Sequence, residues 1–119
     1  MLVLLHAGQV LLEKRAPSGI WGGMWSLPEA APGADVTALC AQRYAAEITT
    51  TSALPAMAHS FTHFKLAIEP RRLGVARAPR AAAPGVMWLP LDEALGAAIP
   101  APVRRILAAL IAPGKIATA

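Results

Sequence analysis

The sequence predicts an α+β fold, a mixed sheet covered on both faces by two main helices. Three patterns carry this. Leucine- and valine-rich runs in LVLLHAGQVLLEKR break at Ala7-Gly8, like hairpin arms around a turn that needs the permissive backbone of glycine. Phe64, Leu66 and Ile68 alternate with Lys65, Ala67 and Glu69, the period of a half-buried strand. Val103, Ile106, Leu107 and Leu110 recur at i, i+3, i+4 and i+7, the stripe of an amphipathic helix. Helices so far apart in sequence, with strands between them, suit a sheet packed on two sides.

The elements follow in order. After the first hairpin, APSGIWGGMWSLPEAAPG is dense in Gly and Pro and holds Trp21 and Trp25, so it reads as an ordered loop with a short strand at Met24 to Leu27. From Asp35 the spacing of Val36, Leu39, Cys40, Arg43 and Tyr44 predicts a helix over Asp35 to Glu47, with Asp35 as N-cap or first-turn acid. TTTSALP ends it. RRLGVARAPRAAAPG is expected to be an irregular or edge strand followed by a loop. VMWLP reads as a short strand, a helical turn begins near Asp92, and Pro102 suits the first turn of the last helix.

At 119 residues the chain is read as one domain, residues 1–119. Eleven Lys and Arg against seven Asp and Glu give a net charge of +4, an excess that accommodates a nucleic-acid partner without demanding one. A single cysteine, Cys40, excludes an internal disulfide and any multi-thiolate metal centre built from this chain alone. A reducing, cytoplasmic setting is expected. MLVLL is too short for a signal peptide and ILAALIA for a membrane span, so a soluble, monomeric chain is expected.

Three segments, GIWGGMWSLPE, HSFTHFKL and APVRRIL, resemble in sequence and in order the C-terminal domain of MutY-type adenine DNA glycosylases. The resemblance runs from Val3 to Leu110. It implies a Nudix-like α/β/α sandwich, related to MutT, and a role in reading 8-oxoguanine opposite a mispaired adenine in duplex DNA. By the same resemblance, Phe61, Thr62 and His63 form the contacting loop, with serine the usual residue where Thr62 stands. Adenine excision belongs in that family to an upstream helical domain that carries the catalytic carboxylates and usually an iron–sulfur cluster. This chain is therefore expected to hold no catalytic residue, metal or cofactor, and to partner lesion-containing DNA and its own N-terminal catalytic domain. Met1 directly precedes the first strand, which fits a domain cut from a longer protein.

The chemistry suits a hydroxyl at Thr62. Guanine offers an acceptor at N7 in the major groove, whereas 8-oxoguanine carries a hydrogen there and an added oxygen on C8. A hydroxyl donates and accepts, so it can address either lesion-specific group. Without the resemblance, Thr62 would read as a turn or solvent-facing threonine. Phe61 reads as packing more than DNA contact, and His63 divides evenly between contact and packing. Trp21 and Trp25 read as anchors of a tight loop, and His6 and His59 as structural. Phosphate contact and a solvated face account equally well for Arg71, Arg72, Arg104 and Arg105.

The alternative is a Nudix pyrophosphohydrolase acting on an oxidised nucleotide such as 8-oxo-dGTP. A Nudix box, G-x5-E-x7-R-E-U-x-E-E-x-G-U, sets several glutamates on one helix face to hold magnesium. Gly23 and Glu29 match its start, but Thr37 and Ala38 stand where Arg and Glu are required. Even with a longer loop, the helix offers only Arg43 and Glu47.

Overall fold

The computed structural model describes residues 1–77 and 84–111. Strands β1 (Leu2–His6) and β2 (Gln9–Lys14) pair antiparallel across the two-residue turn Ala7-Gly8, with His6 opposite Gln9. Both turn residues have positive φ, 49° and 79°, the type I′ geometry that matches the twist of the two strands. Short β3 (Trp25–Ser26) pairs with the end of β2, on the edge that β1 occupies at its start. Along the other edge of β2 runs β8 (Val86–Pro90), also antiparallel.

Beyond β1 the sheet continues through β7 (Arg71–Val75), parallel to β1, to β4 (Ile48–Ala53), antiparallel to β7. A separate two-stranded sheet, β5 (Met57–Ser60) with β6 (Lys65–Ile68), forms the hairpin that carries HSFTHFKL.

Period-two alternation distributes the apolar side chains between two cores. Leu2, Leu4, Leu11, Leu73 and Val75 face helix α1 (Val36–Tyr44), meeting Val36, Cys40 and Tyr44. Val3, Val10 and Leu12 face the opposite side, where α2 (Leu91–Ala94) supplies Ala94 and α3 (Ala101–Ile111) supplies Val103, Ile106 and Leu107. Each fully buried side chain of this size stabilises the fold by about 1.5–3 kcal/mol relative to exposure. The layering is therefore the expected α/β/α sandwich, with the stripe of the last helix seated on the sheet.

The caps obey local rules. Asp35 Oδ1 accepts from the Ala38 N–H at 3.2 Å, the N-cap role its position predicts. Helix α1 stops at Tyr44 rather than Glu47, because Ala45 turns left-handed with φ 52° and the Ala46 N–H folds back to the Cys40 carbonyl at 3.2 Å.

Three expectations need correction. RRLGV is an interior strand and not an edge, flanked by β1 and β4; residues 78–83 of the loop expected after it lie outside the described residues. Helix α1 ends at Tyr44, before the threonine run, which instead forms strand β4, its β-branched residues favouring extended backbone. Phe64, expected on the buried face of its strand, is 48 % exposed. Among the described residues no helix is long and apolar enough to cross a membrane.

Candidate nucleic-acid interface

The β5–β6 hairpin is pinned to the body through Ile68, buried, and through Leu66 and Met57, which pack at the margin of the core under α2 and α3. Ladder pairing runs from Met57 opposite Ile68 to Ser60 opposite Lys65. Phe61 then donates its backbone N–H to the Phe64 carbonyl over 2.7 Å, closing a loop with only Thr62 and His63 between them. Both tip side chains are exposed. The three residues singled out from the sequence thus occupy one place, but Phe61 is half-buried and turns inward.

An aromatic cluster holds Phe61. Its ring lies 4.8 Å from His59 in an edge-on arrangement, 5.7 Å from Trp21, and 4.5 Å from Phe64 in a near-parallel stack at 20°. Trp21 lies 5.9 Å from His59. The tip is therefore braced from beneath, as binding loops usually are by a rigid scaffold. The readings of Trp21 as a loop anchor and His59 as structural agree with this packing, though Trp21 is only half-buried. His6 is likewise structural, its Nδ1 donating to the Val75 carbonyl at 2.9 Å.

Trp21 keeps its place by local strain and by Arg15. Its φ of 55° is unusual for a bulky residue. The neighbouring Gly22 allows the bend, because a Cβ there would sit 2.3 Å from the Pro17 carbonyl oxygen. Arg15 donates from Nε to the Ile20 carbonyl at 3.1 Å, lays its guanidinium 5.8 Å from the Trp21 ring, and pairs with Glu29 at 3.4 Å. One side chain thus ties β2, the tryptophan loop and Glu29 together.

Behind that ion pair lies a cleft of about 290 Å³ lined by Glu13, Lys14, Arg15, Ser26, Glu29 and Arg43, among others. Here a Nudix box would gather its carboxylates. Instead Glu29 is paired with Arg15, Thr37 and Ala38 are exposed, Arg43 reaches the Glu29 backbone carbonyl at 3.5 Å, and Glu47 lies past the end of the helix. Among the described residues no three His, Cys, Asp or Glu side chains converge to hold a metal. The magnesium of a Nudix box does not fit this residue set.

Glu13 is engaged as well, accepting from the Tyr44 hydroxyl at 2.8 Å. Burial, followed by that hydrogen bond, pushes the Tyr44 phenol up to about 12. Burial also raises the Cys40 thiol above its ordinary range, which suits an inert core residue.

Among the four arginines, Arg104 is committed to the Leu95 backbone carbonyl, while Arg71, Arg72 and Arg105 are exposed. Sequence reasoning missed Phe64 as part of the cluster. The available signal was the pair of phenylalanines bracketing a two-residue tip.

This mixed sheet, with a helix on each face and this loop–helix connection, defines the class. The NUDIX domain model matches residues 1–109, and the chain belongs to that family. Among solved structures it is similar to the C-terminal domain of mouse MUTYH, determined in complex with human PCNA. The two share 26% identity over 88% of this chain and 80% of that one, with a TM-score of 0.66. The E. coli ORF135 protein matches at 18% identity over 93% of this chain and 85% of its own, TM-score 0.60. The Nudix hydrolase RenU from M. smegmatis matches at 21% over 97% and 84%, TM-score 0.59. The last two likenesses show the fold alone.

Proposed function

We propose that this chain is the 8-oxoguanine-reading domain of a MutY-type adenine DNA glycosylase, with Thr62 at the lesion, His63 beside it and Phe61 as the inward brace. The observation that carries the reading is the hairpin tip: a hydroxyl and an imidazole held outward on two residues, closed by the Phe61–Phe64 backbone bond and backed by Trp21 and His59. Likeness to the MUTYH C-terminal domain supports the same assignment. Adenine excision is then the work of a catalytic domain elsewhere in the parent protein, where an iron–sulfur cluster is expected. Duplex DNA and that domain are the partners.

The Thr62 hydroxyl donates to the C8 oxygen of the lesion or accepts from its N7 hydrogen, and ordinary guanine offers neither. Binding to duplexes with 8-oxoguanine or guanine opposite adenine, at low ionic strength, tests the reading. Wild type should prefer the lesion. Thr62→Val should reduce that preference by about 1–2 kcal/mol, the lower part of the range for a base contact because one hydroxyl is not bidentate. Thr62→Ser should retain it. Equal affinity of the wild type for both duplexes would sink the proposal.

A further inference from the structure

The ring of Phe64 has no task in that reading. Among the described residues it is one of two exposed large apolar side chains, the other being Ile111 at the end of α3. Leu66 and Ile68, on the same face of β6, turn toward the core, so Phe64 marks where the apolar stripe of the strand outruns the body of the protein.

The ring is nevertheless held in place. Phe61 stacks on it at 4.5 Å and 20°, and Phe61 is itself fixed by His59 and Trp21. The backbone bond from Phe61 to Phe64 fixes the ring's backbone position just before β6, two residues from Thr62. An aromatic surface ordered before any partner arrives loses little entropy on binding.

The surroundings indicate the partner. No Asp or Glu occurs between Glu47 and Glu69, and the neighbours of Phe64 along the hairpin include Ser60, Thr62, His63 and Lys65. An exposed ring on a hairpin whose sequence carries hydroxyls, imidazole and ammonium and no carboxylate suits a polyanion whose bases present π-faces. We infer that Phe64 stacks on a nucleobase next to the one addressed by Thr62, so that the hairpin makes two adjacent contacts, a polar one that discriminates and an aromatic one that grips. This inference rests on the proposed DNA-facing role of the hairpin.

The test uses this chain and a duplex carrying 8-oxoguanine or guanine with 2-aminopurine at each neighbouring position in turn, since aromatic stacking quenches that base. Wild type should quench the probe on one side of the lesion. Phe64→Ala should abolish quenching and weaken binding to both duplexes about tenfold, the loss of one base–aromatic stack, without altering the lesion preference. Phe64→Trp should restore both. Thr62→Val should lower the preference and leave the quenching intact.

Unchanged affinity and quenching in Phe64→Ala would overturn the inference, including the case in which the ring is instead covered by another protein domain, while a surviving lesion preference would leave the proposed function standing. A wild type that quenches but shows no lesion preference would sustain the stacking contact and remove the lesion reading. A wild type that does not bind DNA would overturn both. Circular dichroism of Phe64→Ala should match wild type, as expected for an exposed position.

Discussion

The Tyr44 hydroxyl donates to Glu13 Oε2 over 2.8 Å, joining α1 to a strand residue 31 positions earlier. Burial and this bond hold the phenol near 12, against 10.0 for an ordinary tyrosine. The folded-state value is raised, so the stabilisation is complete below about pH 10 and is lost as pH climbs toward 12. Tyr44 is the chain's one tyrosine, so ultraviolet absorbance of tyrosinate reports it alone. Titration should show ionisation displaced upward in the folded protein and normal in denaturant. Between these pH limits the wild type should lose up to about 2 kcal/mol relative to Tyr44→Phe. A tyrosinate transition near 10 in the folded state would contradict the geometry.

Gly22→Ala should disturb the tryptophan loop, since the added methyl carbon meets the Pro17 carbonyl oxygen at 2.3 Å and that oxygen belongs to the backbone. The expected cost is about 1–3 kcal/mol in chemical denaturation, typical of a forced backbone shift. Trp21 is the preceding residue in the chain, so tryptophan emission should shift too. A silent substitution would mean that the loop relaxes freely.

Ala45→Gly should act in the opposite direction. Ala45 is exposed and holds φ 52° at the end of α1, where glycine pays no Cβ penalty. The left-handed conformation costs a non-glycine residue about 1–2 kcal/mol, partly offset by the greater freedom of glycine in the unfolded chain. A net gain of about 0.5 kcal/mol is expected, read as a rise in the denaturation midpoint.

Magnesium should not enable this chain to hydrolyse 8-oxo-dGTP, because Glu29 is paired with Arg15 and the box positions at Thr37 and Ala38 carry no carboxylate. Product release measured with and without EDTA decides the matter. EDTA-sensitive turnover would show that a metal binds through residues outside the box.

Local periodicity made much of the fold legible. The β1–β2 hairpin, α1 with its Asp35 cap and the α3 stripe each depend on neighbours within a few residues. The interior place of β7 is not legible because its partners are remote, and its arginines and glycine look solvent-facing in isolation. Strand β4 is not legible because its exposed threonines and serine resemble a loop. Alternation identifies the buried face of β6 but not where the body beneath it stops, so the exposure of Phe64 does not follow from it. At the candidate site, the grouping of Phe61, Thr62 and His63 follows from their adjacency. The brace by Trp21 does not, because it closes across 40 residues.

The parallel pairing of β1 with β7 also sets an order of events during synthesis. Leu2 aligns with Arg71 and Leu5 with Gly74, so β1 waits for a strand made 69 residues later. At about 5–20 residues per second the delay is several seconds. During that time β1 has β2 along one edge and, once made, α1 against Leu2 and Leu4, but its other strand edge is open to strangers. Closing so long a loop is slow by topology, and the nascent chain is most prone to misassociate in this interval. Chaperone dependence should therefore concentrate in the time before β7 emerges.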